Sequence, residues 1–235
     1  MGLQTQVDVF DFPGAGAPPL VASRQGEFCS FILGAGPPTV QALNGAMRLA
    51  LEATDEAQAA GLYFGDILTY DIDFLIRATF YVKVGTIAAN ESAIIGMASN
   101  RNAAFDTIAE AALFKFDASN ACVVESDDGT NNNDDVASGF TPGTGVFSRY
   151  QIDFATRVLT QDPPAASLGG KANVEFAMSN ANGSLRRVAD GTLFNMNNYA
   201  GRLQPIVELQ KASGTGVPTV DIRRIEIEHV PEVNA

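Results

Sequence analysis

The chain has 235 residues, of which 46% are hydrophobic and 18% charged, so it holds enough apolar material for one sizeable core. Fifteen basic residues against 27 acidic ones give a formal net charge of −12, and the lysines are scattered. Direct nucleic-acid binding needs clustered cations and is therefore excluded. No segment reaches the roughly 18 continuous apolar residues of a membrane span, and the N-terminal residues lack the pattern of an export signal, so we expect no membrane partner.

The first 45 residues differ in character from the rest of the chain. Glycine and proline recur in "PGAGAPP" at residues 13–19 and in "GAGPP" at residues 34–38, where they interrupt any regular helix or ladder. Four phenylalanines lie around these stretches: Phe10, Phe12, Phe28 and Phe31. A purely flexible tail has little use for such side chains. Residues 1–45 are therefore predicted to form an extended arm whose phenylalanines bind a surface, either on the same chain or on a neighbouring subunit.

From residue 46 onward apolar residues mostly alternate with polar ones, which is the pattern of half-buried strands. The longest example is "DIDFLIRATFYVKV" at residues 71–84, and shorter ones are "RYQIDFA", "NVEFAMS" and "LQPIVELQK". In "TVDIRRIEIEHV" the apolar phase changes after Ile222, which predicts a bulge near Arg223 and Arg224. Turn-rich pieces such as "TPGTG" separate the strands. Two packed antiparallel sheets are therefore predicted for residues 46–235.

Two stretches favour helix by composition. Residues 49–60, "LALEATDEAQAA", are rich in alanine and glutamate, and residues 106–112 predict a second, short helix. Neither creates an alternation of strands and helices, so the predicted fold class stays all-β.

Catalytic constellations are missing from the sequence. His229 is the only histidine, and Cys29 and Cys122 lie far apart without a metal-ligand or redox spacing, so we interpret both thiols as free and buried. There is no G-x-S-x-G turn. The carboxylate pair Glu226 and Glu228 alternates with apolar residues, as expected on a solvated outer surface. The sequence therefore predicts no enzyme and no cofactor.

An acidic stretch, "SDDGTNNNDD" at residues 126–135, is the candidate for a cation site. Its carboxylates belong to Asp127, Asp128, Asp134 and Asp135. The stretch lacks the glycine and the glutamate that an EF-hand requires at fixed positions. Asp and Asn side chains readily hydrogen-bond their own backbone in turns. A structural turn between strands is the favoured interpretation, and a calcium site formed by these four carboxylates is the alternative.

The order of several segments resembles that of a known group of proteins. The segments are "IDFLIRATFYVKV", "ALFKFDAS", "CVVESDDGTNNNDD", "RYQIDFAT", "LQPIVELQKASG" and "VDIRRIEI". Together they resemble the jelly-roll virion proteins of tailed bacteriophages, which are similar to the concanavalin-like sandwiches. The resemblance covers residues 71–230. It implies an antiparallel jelly-roll β-sandwich, carrying the N-terminal arm, that decorates the outside of a capsid as a cement protein.

What the resemblance implies for function is a non-enzymatic structural protein. Its expected partner is the major capsid protein and its expected state is a homotrimer. It would be made in the host cytoplasm and lie on the outer surface of the virion. A tail, fibre or baseplate component with the same sandwich is one alternative. A carbohydrate-binding sandwich module is another, although the chain has no tryptophan for the aromatic platforms on which sugar rings commonly stack.

Overall fold

The computed structural model of the chain describes residues 5–12, 28–36, 38–67, 70–154, 171–179 and 183–231. These residues form sixteen β-strands and two 3-10 helices, Phe105–Thr107 and Ala118–Asn120. The strands are β1 (Gln6–Asp11), β2 (Cys29–Leu33), β3 (Thr39–Leu43), β4 (Ala46–Ala50), β5 (Gln58–Tyr63), β6 (Tyr70–Asp71), β7 (Leu75–Val84), β8 (Glu91–Ala98), β9 (Glu110–Asp117), β10 (Ala121–Asp128), β11 (Asn132–Ala137), β12 (Phe147–Asp153), β13 (Glu175–Ser179), β14 (Arg186–Val188), β15 (Arg202–Lys211) and β16 (Thr219–His229). Within these ranges, no helix has the length and apolar character of a membrane span.

The strands build two eight-stranded antiparallel sheets. Sheet A has the order β14-β13-β12-β7-β16-β4-β3, and β1 pairs with β16 beyond the end of β4. Sheet B has the order β11-β10-β9-β8-β15-β5-β2, and the short β6 also pairs with β15. The two sheets pack face to face, so the predicted all-β antiparallel sandwich is confirmed.

One large core lies between the sheets. Along β7 the alternate residues Ala78, Phe80 and Val82 have no exposed surface. Across the core, the Phe114 ring of sheet B lies 5.4 Å from the Tyr150 ring of sheet A in an edge-to-face arrangement. Burying such side chains stabilises the fold by roughly 1.5–3 kcal/mol each. The alternation read from the sequence therefore indicates the residues that join the two layers.

The apolar side chains of β16 face the core both before and after the change in its alternation. Its pairing with β7 shifts register between Ile222 and Arg224. As a result Ile222, Ile225 and Ile227 are all fully buried. The bulge predicted at this position is confirmed.

The two helices predicted from composition are wrong. Residues 49–60 hold the end of β4 and the start of β5, and Ala60 has no exposed surface. Residues 106–112 hold the end of a 3-10 helix and the start of β9, where Ala112 faces the core. The helix preference of alanine is less than about 1 kcal/mol per residue over most other types. Close packing of small side chains between the sheets overrides it.

The described parts of residues 1–45 are strands of the two sheets. Strand β1 pairs with β16, β2 pairs with β5, and β3 forms a hairpin with β4. The two turn residues of that hairpin, Asn44 and Gly45, have φ angles of 52° and 78°, the positive values that a tight two-residue hairpin needs. The hairpin crosses the position at which the arm was expected to end. Residues 13–27, including the stretch "PGAGAPP", lie outside the described residues.

Cys29 and Cys122 are both buried, as predicted. Burial raises the pKa of the Cys122 thiol to about 12. The thiol therefore stays protonated at neutral pH and acts as part of the core.

Candidate functional site

The four phenylalanines predicted to bind a surface contact the chain's own sandwich. Phe12 and Phe28 are buried with their ring centres 5.5 Å apart, and Phe10 lies 5.2 Å from Phe28. Phe31 is half-buried and lies against Tyr63. The described parts of the predicted arm therefore pack on their own chain, the first of the two surfaces predicted for it. Phe12 and Phe28 offer no surface to a partner in this fold.

The acidic stretch at residues 126–135 forms the hairpin between β10 and β11. Asp128 accepts hydrogen bonds from the backbone N–H and the side-chain amide of Asn131, at 2.6 and 2.8 Å, and from the backbone N–H of Asn198 at 3.0 Å. Burial alone would raise the pKa of Asp128, but these hydrogen bonds outweigh it and lower the pKa below its ordinary value. This carboxylate holds the turn together, which supports the structural interpretation.

The other three carboxylates of the stretch point to different partners. Asp127 accepts a backbone N–H of the turn at 2.7 Å, and Asp134 accepts the side-chain amide of Asn132 at 3.0 Å. Asp135 accepts a hydrogen bond from the Lys115 ammonium at 2.9 Å. Of the four candidate calcium ligands, only Asp135 belongs to a set of three carboxylates that lie close enough together to share an ion in the described part of the chain.

Residues 99–109, here called the β8–β9 loop, fold over the outer face of sheet B. Phe105 and Ile108 of this loop pack against Ile94, Leu113 and Ile206, and all five are buried. The last three are outward-facing side chains of β8, β9 and β15, which strand alternation alone would place in solvent. The loop therefore creates a second, smaller core on the outside of the sandwich.

Beside this second core lies an acidic cluster formed by Asp106, Glu125 and Asp135. Their carboxylate oxygens lie within 4.8 Å of one another. The Lys115 ammonium lies 2.6 Å from Asp106 and 2.9 Å from Asp135. Burial alone would lower the pKa of Lys115, but its hydrogen bonds to these two carboxylates outweigh burial and raise the pKa above its usual range. The lysine therefore carries its positive charge inside the acidic cluster.

Glu125 is the buried member of the acidic cluster. It is 6% exposed, and its Oε2 atom has no hydrogen-bond partner among the described residues. Burial, opposed by Lys115 and reinforced by Asp106 and Asp135, raises the pKa of Glu125 to about 8. Glu125 is therefore mostly protonated at neutral pH.

Arg101 anchors the β8–β9 loop through a second charged pair. Its Nη2 atom lies 2.9 Å from Glu208 Oε1 on β15, and its guanidinium carbon lies 3.6 Å from the centre of the Phe31 ring. Phe31 covers Gly61, where an added Cβ would overlap the ring, so the glycine permits the close approach. Burial raises the pKa of Glu208 to about 7, although Arg101 opposes the shift. These contacts connect the loop to β2 and to the centre of sheet B.

A cleft of about 730 Å³ lies beside the β8–β9 loop on the outer face of sheet B. Much of its lining consists of small apolar side chains, those of Ala57, Ala59, Ala103, Ala104, Ala118 and Ala212. Its polar lining includes Ser92, Arg101, Asp106, Lys115, Asp117 and Gln210. The Gln210 side-chain amide donates to Ser92 Oγ at 3.1 Å, which orients both groups. A concave, largely apolar site with a few fixed polar groups is the general form of a small-molecule site.

His229 lines a different and smaller pocket, of about 250 Å³, at the end of β16. Its Nε2 atom lies 3.2 Å from the Asp8 carboxylate, which also accepts a hydrogen bond from the Tyr70 hydroxyl at 2.9 Å. These contacts tie β1 to its neighbours. The histidine thus has a structural role at the end of β16, between β1 and β7.

No protein-family model matches the chain, and no curated protein sequence matches it. Its fold does match solved structures. Peanut lectin with a nine-residue peptide is 11% identical, with 96% of this chain and 97% of the lectin covered and a TM-score of 0.56. The carbohydrate recognition domain of Emp46p is 9% identical, with 92% and 96% covered and a TM-score of 0.52.

A third structure comes from work on endo-acting O-glycanases that members of the human gut microbiota express to initiate mucin breakdown. It is 8% identical, with 95% of this chain and 99% of that chain covered and a TM-score of 0.57. The chain has the fold of a lectin-like β-sandwich. At such low sequence identity, the likeness establishes the fold alone and gives no residue of this chain a functional role.

The sequence interpretation did not select Arg101, Lys115, Glu125 or Glu208. A usable signal was present on two strands, because Lys115 follows Leu113 on one strand face and Glu208 follows Ile206 on another. A charged side chain on an otherwise apolar strand face predicts a buried partner, since an unpaired buried charge is costly. The partners themselves lie too far away in sequence for that signal to name them.

Proposed function

We propose that the chain is a non-enzymatic glycan-binding module whose ligand lies in the cleft beside the β8–β9 loop. The observation that carries the proposal is the mixed lining of that cleft. A sugar ring presents apolar C–H faces together with hydroxyl groups that both donate and accept hydrogen bonds. Alanine side chains match the apolar faces, and fixed polar groups match the hydroxyls. The fold likeness to peanut lectin and to the Emp46p carbohydrate recognition domain supports the same ligand class.

Three polar groups are the proposed sugar contacts. Ser92 and Gln210 lie on adjacent strands of sheet B and hold each other in place. Asp117 at the end of β9 has a side chain that is 47% exposed and offers two acceptor oxygens. Groups oriented before the ligand arrives lose less conformational entropy on binding, which favours affinity.

Binding is favoured over hydrolysis because two carboxyl groups suited to proton transfer are enclosed. Glu125 and Glu208, with pKa values raised to about 8 and about 7, are 6% and 0% exposed. A glycoside hydrolase brings its acid and its nucleophile or base into contact with the scissile bond. We therefore expect bound oligosaccharides to be recovered uncleaved.

A glycan array with the full chain, followed by calorimetric titration of the tightest ligand, tests the proposal. Gln210→Ala should weaken binding about 5- to 10-fold, because one hydrogen bond contributes about 1 kcal/mol. Gln151→Ala is the matched control, since Gln151 lies on β12 of sheet A, and this variant should bind like the wild type.

The result that would overturn the proposal is a folded protein that binds no glycan. A loss of equal size in Gln151→Ala and Gln210→Ala would place the glycan outside the cleft. Analysis of the recovered oligosaccharide for new reducing ends checks the non-enzymatic part.

The virion role implied by the resemblance stays a separate proposal. It rests on segment order, and the solved structures named above include no virion protein. Mass spectrometry of purified particles tests it by counting copies of the chain per major capsid protein. A ratio near or moderately below one supports decoration of the outer shell, and a ratio of a few per cent supports a tail component. Absence from particles leaves the glycan-binding proposal. Light scattering of the pure protein tests the homotrimer.

A further inference from the structure

The acidic cluster has the ligand chemistry of a divalent-cation site. It groups three carboxylates within 4.8 Å of one another, and hard cations such as Ca²⁺ bind carboxylate oxygens. One of them, Glu125, is 6% exposed and leaves its Oε2 atom without a hydrogen-bond partner in the described chain. A buried, unpartnered oxygen among acidic neighbours indicates that the cluster needs a positive charge close by.

That positive charge is already present in the chain. The Lys115 ammonium lies 2.6 Å from Asp106 and 2.9 Å from Asp135. The Asp117 carboxylate, which is outside the acidic cluster, lies 3.8 Å from the same ammonium. The Lys115 side chain is only 8% exposed, so it fills the space between the loop and the strands. A metal ion would need the same carboxylate oxygens and would also be repelled by the ammonium. Occupancy by lysine and occupancy by a metal therefore exclude each other.

We propose that Lys115 is a built-in counter-ion that fills a divalent-cation site made by Asp106, Glu125 and Asp135. The site joins three parts of the chain, because Asp106 lies in the β8–β9 loop, Glu125 on β10 and Asp135 on β11. The lysine thereby holds the β8–β9 loop against sheet B in the absence of any metal. This inference does not depend on whether the cleft binds a glycan.

Removing the ammonium should expose the hidden site. Lys115→Met keeps an unbranched apolar stem of similar length and leaves the three carboxylates without a cation. The variant should unfold at a lower temperature than the wild type, and Ca²⁺ at about 1 mM, a weak-site concentration, should raise its melting temperature by several degrees. The wild type should show no such rise. Terbium luminescence should report binding to the variant alone.

Lys211→Met is the matched control. Lys211 is also buried, but its ammonium contacts backbone carbonyls, including those of Thr54 and Gly214 at 2.7 and 2.9 Å. Its loss should lower stability without creating a calcium response. Adding Glu125→Gln to Lys115→Met should remove the calcium response, because an amide cannot release a proton to become the third carboxylate ligand.

Two outcomes overturn the inference. A rise in the wild-type melting temperature with calcium that Glu125→Gln abolishes would show that a cation binds with the lysine in place. A folded Lys115→Met protein that ignores both calcium and terbium would show that the carboxylates do not form a cation site. If Lys115→Met folds only when calcium is added, the inference is supported. If it fails to fold under both conditions, Lys115→Gln is used for the same readings.

Discussion

Lys115 and Arg101 connect the β8–β9 loop to sheet B, and their side chains are only 8% and 18% exposed. Each cation has a carboxylate within 3 Å, since Lys115 contacts Asp106 at 2.6 Å and Arg101 contacts Glu208 at 2.9 Å. Removing Arg101 should be strongly destabilising, because Glu208 has no exposed surface and would stay behind without compensation. Single residues in this region therefore control the position of a whole loop.

Glu125 should make the stability of the fold depend on pH. Its folded-state pKa of about 8 lies above the value of a free glutamate, about 4.3. Between these two values the folded protein holds a proton that the unfolded chain has released. The free energy of unfolding should therefore fall as pH rises from about 5 to 8, by up to about 1.4 kcal/mol per pH unit from this group. Lys115, Asp106, Asp134 and Asp135 are the charged groups that act on it.

Urea unfolding at several pH values measures this slope. Glu125→Gln cannot titrate at this position, so its slope should be flatter than that of the wild type across the same window. Glu226→Gln on β16 removes a carboxylate from sheet A and serves as the control. Equal slopes for the wild type and Glu125→Gln would show that the Glu125 carboxyl does not titrate in this range.

At the level of elements, alternating patterns predicted the sheets well and composition predicted helices badly. Strands β7 and β16 follow from their own sequences, including the bulge after Ile222. The β8–β9 loop could not be predicted, because it has no periodicity and depends on the contact between Arg101 and Glu208, which are 107 residues apart. The cleft could not be predicted either, because residues of the β8–β9 loop line it. The glycine and proline of residues 1–45 indicated an arm, whereas β1, β2 and β3 complete both sheets.

Strand β2 should contribute to stability through Phe28, the residue just before it. Phe28 is 2% exposed and its ring contacts those of Phe10, Phe12 and Phe64. Phe28→Ala should lower the free energy of unfolding by about 3–5 kcal/mol. Leu33→Ala at the other end of the strand is the control, because Leu33 is 49% exposed, and it should change stability by no more than about 0.5 kcal/mol.

Guanidinium unfolding of both variants gives the comparison. If Phe28→Ala is as stable as Leu33→Ala, the strand does not belong to the core of its own chain. Docking of the arm on a neighbouring subunit would then regain support.

The charge of the whole molecule should limit which glycans bind. The chain carries a formal net charge of −12. Among the described residues, three cations line the cleft, and each has partners: Arg101 contacts Glu208, Lys115 contacts the acidic cluster, and Lys211 contacts backbone carbonyls. An anionic sugar would therefore meet repulsion, and the described residues that line the cleft offer no unpaired cation to offset it.

A neutral oligosaccharide should bind at least about tenfold more tightly than its sialylated form at low ionic strength. The difference should shrink as salt is added, because the screening length falls from about 30 Å at 0.01 M to about 3 Å at 1 M. Titration calorimetry with the pair of glycans at two salt concentrations measures both effects. Tighter binding of the sialylated form would contradict this assignment of the charges while leaving glycan binding itself intact.

The pairing of β1 with β16 places Gln6 opposite His229. The chain therefore enters and leaves the sandwich at neighbouring positions on one edge of sheet A. A short linker could join these two positions, and new ends could be opened in the β10–β11 hairpin at Gly129. The surroundings of Gly129 are open, since an added Cβ would lie 3.6 Å from its nearest neighbour, Glu110 Oε1. Such a circular permutant keeps every strand pair of both sheets. The same geometry lets the module be inserted as a unit into a surface loop of another protein, because both ends of the insertion would connect to that loop at neighbouring positions.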